Sequence, residues 1–461
     1  MNRQSNDRLQ PARRLAIRAI MAGTVAVGMI ACNTSDVLTV PDIDVVKPAS
    51  LSGKSALPNV QAAAIGDFQV AYAGSSGSEG QAQISALLAD ELVNSESFPT
   101  RIEVDQRSTQ EINGTMLTIF RDIEKARATT EAAERSYATL DPANGARAEV
   151  TALNGFTYVI FAENYCSGVP ASVINSDGTL TYGSPMTTAQ LLITAAAKFD
   201  SAITLATAAG NTTALNLARI GKGRTLVNQG QYAAAAVAVA AVPSTFRYVI
   251  NHDENTSRQY NGFFSFAQNS RRFSIPDREG GNGLPFRPDG VTDSRLAVRR
   301  VGTGFDNFTP LYVTAKYQNR SAATPLAEGS EARLIEAEAA LAAGDDATLL
   351  AKINAARAAA TTFAVAPTVP PPAPGPVAAV PATQSGKVDL LFQERAYNLF
   401  LTSHRLGDLR RLIRQYGRDS EAVFPTGAYF KGGVYGKDVN FPVPFEERNN
   451  PSFTGCLDRK A

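Results

Sequence analysis

His404 is one of only two histidines in 461 residues. It lies in "QERAYNLFLTSHRLGDLRR" (393–411), beside Asp408 and among Glu394 and several arginines. Histidine and aspartate at i, i+4 can pair on one helical turn, and a carboxylate orienting an imidazole is one way to build a general base. The same stretch also supports ion pairs at i, i+3, Arg405 with Asp408 and Asp408 with Arg411, while Leu399, Leu406, Leu409 and Ile413 fill one side. That pattern describes an amphipathic helix edged with ion pairs. No G-x-S-x-G elbow, H-E-x-x-H pair or Walker loop occurs in the sequence. "GKGRT" (221–225) lacks the spacing and the Lys-Ser/Thr ending of a phosphate loop. "DREGGNG" (277–283) is a turn cluster whose carboxylates do not follow a calcium-loop spacing, a weak cation site at most. Carboxylates paired for glycoside hydrolysis are defined by a distance in space, which a sequence does not print. Catalysis, a metal site and a cofactor are therefore not expected.

These candidates need a body to position them. Hydrophobic residues make up 44% and charged residues 19%, which suits a globular chain with a core, and a net charge of +1 gives no field to recruit nucleic acid or acidic lipid. The N-terminus has an arginine-rich region, a short apolar run "AIMAGTVAVGMIA" and then Cys32. This is an export signal, too short to span a membrane stably. "MIAC" (29–32) resembles a bacterial lipobox, which implies lipidation of Cys32 and removal of residues 1–31. An ordinary signal peptide ending near a cysteine is the alternative. Asn33 gives no inner-membrane retention cue, so the expected location is the outer membrane, with the chain lipid-anchored and surface-exposed. Outside the cytoplasm thiols tend to oxidise, so Cys166 and Cys456 are expected to pair, two unpaired buried cysteines being the alternative.

Residues 32–60 read as a polar, proline-punctuated tether, and residues 61–461 as one domain. Helical patterns dominate that domain. "ALNLARIGKGRTLVNQGQYAAAAVAVAAVP" and "EARLIEAEAALAAGDDATLLAKINAAR" share one grammar: an Ala-rich helix, a turn at Gly230 or Gly344, and a second Ala-rich helix. Units of this kind resemble tetratricopeptide repeats, which bury their faces by stacking. The expected class is mainly α, an α-α superhelix of such pairs with irregular, loop-rich excursions. One excursion covers 244–330. Another is the proline-rich surface loop 366–382.

"LFQERAYNLFLTSHRLGDLRRL" resembles the C-terminal signature of the SusD/RagB family of outer membrane nutrient-binding lipoproteins. Glu394, Arg395, Arg405, Asp408, Leu409, Arg410 and Arg411 match it, whereas Asn398 and Thr402-Ser403 depart from it. Further matches follow in order: "FAENYCSGVP", "DSR" (293–295), "EARLIEAEAAL" and "FPVPFEERNNPSF". The resemblance implies a non-catalytic binding protein that caps a SusC-like TonB-dependent transporter and passes oligosaccharides, or in some members peptides, to it. A lipid-anchored enzyme or scaffold is the alternative from a different class. The matched positions are framework, so ligand contacts are sought in loops. Aromatic faces with neighbouring polar groups suit sugar rings. "NSESFPTR" offers Asn94, Phe98 and Arg101, and "RQYNGFFSFAQNSRRFSIP" offers Tyr260, Phe263 and Arg272, with Phe264 and Phe266 read as core. The absence of tryptophan leaves room for a peptide ligand.

Overall fold

Alanine-rich runs closed by short polar caps form most of the structure. The computed structural model describes residues 53–175, 179–287, 293–364 and 373–461. The leader, Cys32, most of the tether and residues 366–372 of the proline-rich loop lie outside them. Helices of seven residues or more are Leu57–Ala73, Gln81–Leu88, Pro99–Asp105, Gly114–Leu140, Gly145–Asn164, Thr188–Ala209, Thr212–Asn228, Tyr232–Val239, Gly329–Ala343, Asp346–Ala359, Gln384–Asn398 and Arg405–Tyr416. The first of these takes in residues 57–60, which the sequence assigned to the tether. Side-chain caps set many starts. Asn113 accepts from the Met116 N–H, Asn211 from Ala214 and Asp345 from Thr348, each taking up a donor the helix end leaves free. Gly344 closes Gly329–Ala343 at φ 72°, a left-handed geometry that a side chain resists.

Helices that follow one another in the chain pack against each other from Gly114–Leu140 through Asp346–Ala359, the stacked architecture of a mainly α chain. Glycines inside the helices let them approach. A Cβ on Gly221 would stand 2.2 Å from the Phe199 ring, and one on Gly223 2.5 Å from Val239. "GKGRT" is thus a helix segment whose small faces receive Phe199, itself edge-on to Phe156 at 5.0 Å. Thr188–Ala209 is long and apolar enough to cross a membrane by length and composition, yet Phe199 at its centre is fully buried in the stack.

Irregular excursions carry the strands, all in two-stranded antiparallel ladders among the described residues. Val93–Asn94 pairs with Phe273–Ser274, Val298–Thr303 with Pro310–Thr314, and Thr324–Glu328 with Arg247–Ile250. Cys166 and Cys456 form a disulfide spanning 290 residues, which ties the C-terminal segment to the end of Gly145–Asn164.

The stretch 393–411 departs from the continuous helix its pattern describes. Gln384–Asn398 and Arg405–Tyr416 are separate helices joined by a turn in which Leu401 and Ser403 adopt φ 56° and 63°. Buried donors hold this unusual backbone. Lys316 Nζ donates to the Phe400 carbonyl at 2.7 Å, Tyr317 to Leu401 at 2.9 Å and Tyr72 to Thr402 at 2.9 Å, while the Leu401 N–H donates to Glu91 at 2.9 Å. His404 does not pair with Asp408. Its Nε2 faces Glu331 at 3.1 Å and its Nδ1 faces the Thr402 carbonyl at 2.8 Å. Asp408 takes Arg395 at 2.8 Å and Arg411 at 2.8 Å, and Arg405 goes to Asp90 instead. Burial alone would raise the Asp408 pKa, but Arg395 and Arg411 hold it well below the usual carboxylate range. The ion pairs expected on a helix edge are therefore core. His404 and Arg411 also reach acids of another quoted motif, Glu331 and Glu338, while Arg295 of "DSR" meets Glu394 at 2.7 Å.

Candidate functional site

The short ladder between Val93–Asn94 and Phe273–Ser274 brings the two ligand stretches of the sequence together. Beyond the ladder, the Ser95 N–H donates to the Arg272 carbonyl at 2.9 Å, Phe305 N–H to Arg271 at 2.8 Å and Asp306 N–H to Ser95 at 3.0 Å. Gly304 permits this approach, since a Cβ there would lie 2.5 Å from Ser95 Cβ. A third loop arrives at Lys431, whose Nζ donates to Asn94 Oδ1 at 3.0 Å and to Asp306 Oδ2 at 2.7 Å.

Glu96 is the hub. It is buried, and it receives Arg101 on Oε1 at 2.6 Å, Arg272 on Oε2 at 2.7 Å and Lys431 on its backbone carbonyl at 2.5 Å. Each of these cations lies against an exposed phenylalanine: Arg101 against Phe98 at 4.9 Å, Arg272 against Phe305 at 5.5 Å and Lys431 against Phe430 at 5.6 Å. Phe98, Phe305 and Phe430 are 49%, 50% and 40% exposed, and Phe308 of the same turn as Phe305 is 72% exposed. Water-facing aromatic rings held on ion-paired stems form a platform that costs little further ordering when something stacks on it. The stems are neutralised, Arg101 by Glu79 and Glu96, Arg272 by Glu96, and Lys431 by Asp306. Asp306 would be raised by its partial burial, but Lys431 and the Thr309 donors hold it low.

Beneath the platform are two fully buried acids. Asp105 accepts from the Asn94 N–H at 2.8 Å and from Tyr429 at 2.6 Å, and Glu279 of "DREGGNG" accepts from Tyr435 at 3.0 Å. Burial pushes both carboxyls up, and for Glu279 the charge of Asp105 adds to it. Among the described residues no group of three or more His, Cys, Asp or Glu side chains could hold a metal.

Of the six expected ligand residues, Phe98 and Arg272 reach the platform surface. Asn94 and Arg101 belong to the same cluster but are buried, because they serve Lys431 and the Glu79–Glu96 pair. Phe263 is also buried, stacked on Tyr317 at 4.4 Å, and is a core residue. Tyr260 stands apart, half-buried against Arg320 at 4.9 Å. Sequence reading missed Glu96, Phe305, Phe308, Phe430 and Lys431. The available signal was aromatic residues inside turn-rich "GFDNFTP" and "AYFKGG".

No protein-family model matches this sequence, and no curated protein does. Solved structures do. A SusD superfamily protein from Parabacteroides distasonis superposes with TM-score 0.63 over 88% of this chain and 99% of its own, at 12% identity. One from Bacteroides vulgatus gives TM-score 0.59 at 14% identity, over 87% and 98%. This chain has the SusD-superfamily fold. Surface glycan-binding protein A from Bacteroides uniformis shares it, with TM-score 0.60, 13% identity and coverage of 87% and 99%. In this chain the helical stack is the scaffold and the platform lies on the excursions.

Proposed function

We propose that the protein is a non-catalytic, cell-surface lipoprotein of the SusD/RagB family that captures oligosaccharides and passes them to a TonB-dependent outer membrane transporter. The observation that carries this reading is the platform of Phe98, Phe305 and Phe430 on neutralised stems, with exposed Phe308 on the same turn as Phe305. Sugar rings present flat C–H faces that stack on aromatic rings, and nearby polar groups read their hydroxyls. The fold it shares with a surface glycan-binding protein supports the same reading. The lipobox at Cys32 supports lipid anchoring at the outer membrane. A peptide ligand on the same rings is the second reading, favoured by the absence of tryptophan.

The test is array binding of glycans and peptides to the lipid-free mature chain, followed by Phe98→Ala and Phe305→Ala. Each substitution should weaken the selected glycan by about 1 kcal/mol or more, roughly fivefold to tenfold, with thermal stability unchanged. Unchanged affinity in both would reject the platform as the site. Capture from membranes should bring down a large β-barrel partner, and repeated failure to find one counts against the transport role.

A further inference from the structure

Among the described residues every buried arginine except one has a carboxylate within ion-pair distance. The exception is Arg410, only 1% exposed. Its Nη1 donates to the Ala162 carbonyl at 3.0 Å, and its Nε has no acceptor. A buried, unpaired guanidinium is costly and calls for a reason. Burial, and then the charge of Arg414, push its pKa down to about 9, while Glu163 and Asp458 act the other way.

Arg414 follows Arg410 by one turn of Arg405–Tyr416 and lines an open groove of about 1110 Å³. The groove runs between the start of Thr188–Ala209, the end of Thr212–Asn228 and the segments around 437–439 and 458–461. Its charged lining residues are Arg414, Lys437, Asp458 and Lys460. Lys437 is engaged by Glu421 at 2.8 Å, and Asp458 Oδ1 accepts from the Lys460 backbone N–H at 3.0 Å. The side chains of Arg414 and Lys460 have no ion pair among the described residues. Two cations on the wall without an ion pair, with a third buried behind it, outnumber the lining carboxylate of Asp458 and leave the groove with a positive potential.

We propose that this groove is a second ligand site, which takes the carboxylate of an acidic saccharide, a uronic acid unit, on Arg414 and Lys460 with Arg410 sustaining the potential behind them. The volume exceeds an inorganic ion and suits a ligand of two or more sugar rings. The saccharide part rests on the proposed function; the anion part stands on Arg410, Arg414 and Lys460 alone. The groove would thus differ from the platform, whose cations are neutralised.

Calorimetry on the full mature chain with digalacturonate, its neutral counterpart galactobiose, and sodium sulfate tests this. Digalacturonate should bind at least about tenfold more tightly than sulfate, weaken with added salt, and lose about tenfold or more in the Arg414→Gln/Lys460→Gln double variant. Galactobiose should show no loss in that variant. Sulfate binding as tightly as digalacturonate would leave a small-ion site and overturn the saccharide. No digalacturonate binding, or binding unchanged in the double variant, would overturn the site. Arg410→Met supplies a separate readout: its melting temperature without ligand should hold or rise, because an unpaired buried charge is gone, while digalacturonate binding weakens. A falling melting temperature would make Arg410 structural and remove it from the proposal. Phe98→Ala should leave digalacturonate affinity unchanged, so failure of the platform and failure of the groove are read apart.

Discussion

Glu91 shows how one side chain sets a pH dependence. It lies fully buried beneath the left-handed turn at Leu401, accepting that residue's N–H on Oε1, while its Oε2 has no donor. Burial, with Asp90 beside it, raises its pKa to about 8. In the unfolded chain a glutamate titrates near ~4.3, so between that value and about 8 the folded state binds a proton that the unfolded state has released. Stability contributed by this group is therefore lost as pH rises through the window. Glu91→Gln keeps the acceptor for Leu401 and cannot ionise. Urea unfolding at pH 5 and pH 8 should show the variant losing less stability than wild type across that interval, by on the order of 2 kcal/mol. Parallel pH profiles would show that Glu91 ionises normally. The same residue-by-residue view separates Phe98, legible as a loop aromatic, from Phe263, equally aromatic in sequence but stacked on Tyr317.

At the scale of elements, helix boundaries and pair grammar were legible from caps, Gly turns and apolar spacing, as Gly329–Ala343, Gly344 and Asp346–Ala359 illustrate. The interruption at 399–404 was not, because its backbone is imposed by Glu91, Lys316, Tyr317 and Tyr72 from other elements. Asp408 joins Gln384–Asn398 to Arg405–Tyr416 through Arg395 and Arg411. Asp408→Asn leaves two buried guanidiniums short of a counter-charge and should cost about 3–5 kcal/mol in chemical denaturation. Asp346→Asn, which removes an exposed partner of Lys387, should cost under about 1 kcal/mol. Equal losses would mean the buried network carries no special energy. Glu96 is the matching hub on the excursions, and its role follows from three loops meeting, which local sequence does not encode.

For the whole molecule, residues 53–461 form one compact unit. The Cys166–Cys456 bond closes 290 residues of it, which restricts the unfolded chain far more than the folded one. Cys166→Ser/Cys456→Ser should lower stability by about 2–5 kcal/mol, a drop of several degrees in melting temperature, and should expose the C-terminal segment to proteolysis. Identical melting of the variant and the oxidised wild type would show that the bond constrains nothing that folding does not already hold.

The sequence by itself determined the mainly α class, the stacked pairs and the framework signature, because helix caps and apolar periods are local physics and the signature lies within one short stretch. Tertiary structure alone decided which charged residues are core and which aromatics are surface. Arg411 meets Glu338 and Arg405 meets Asp90 only after distant segments pack. Phe98, Phe305 and Phe430 become one platform only because three loops converge on the buried carboxylate and carbonyl of Glu96.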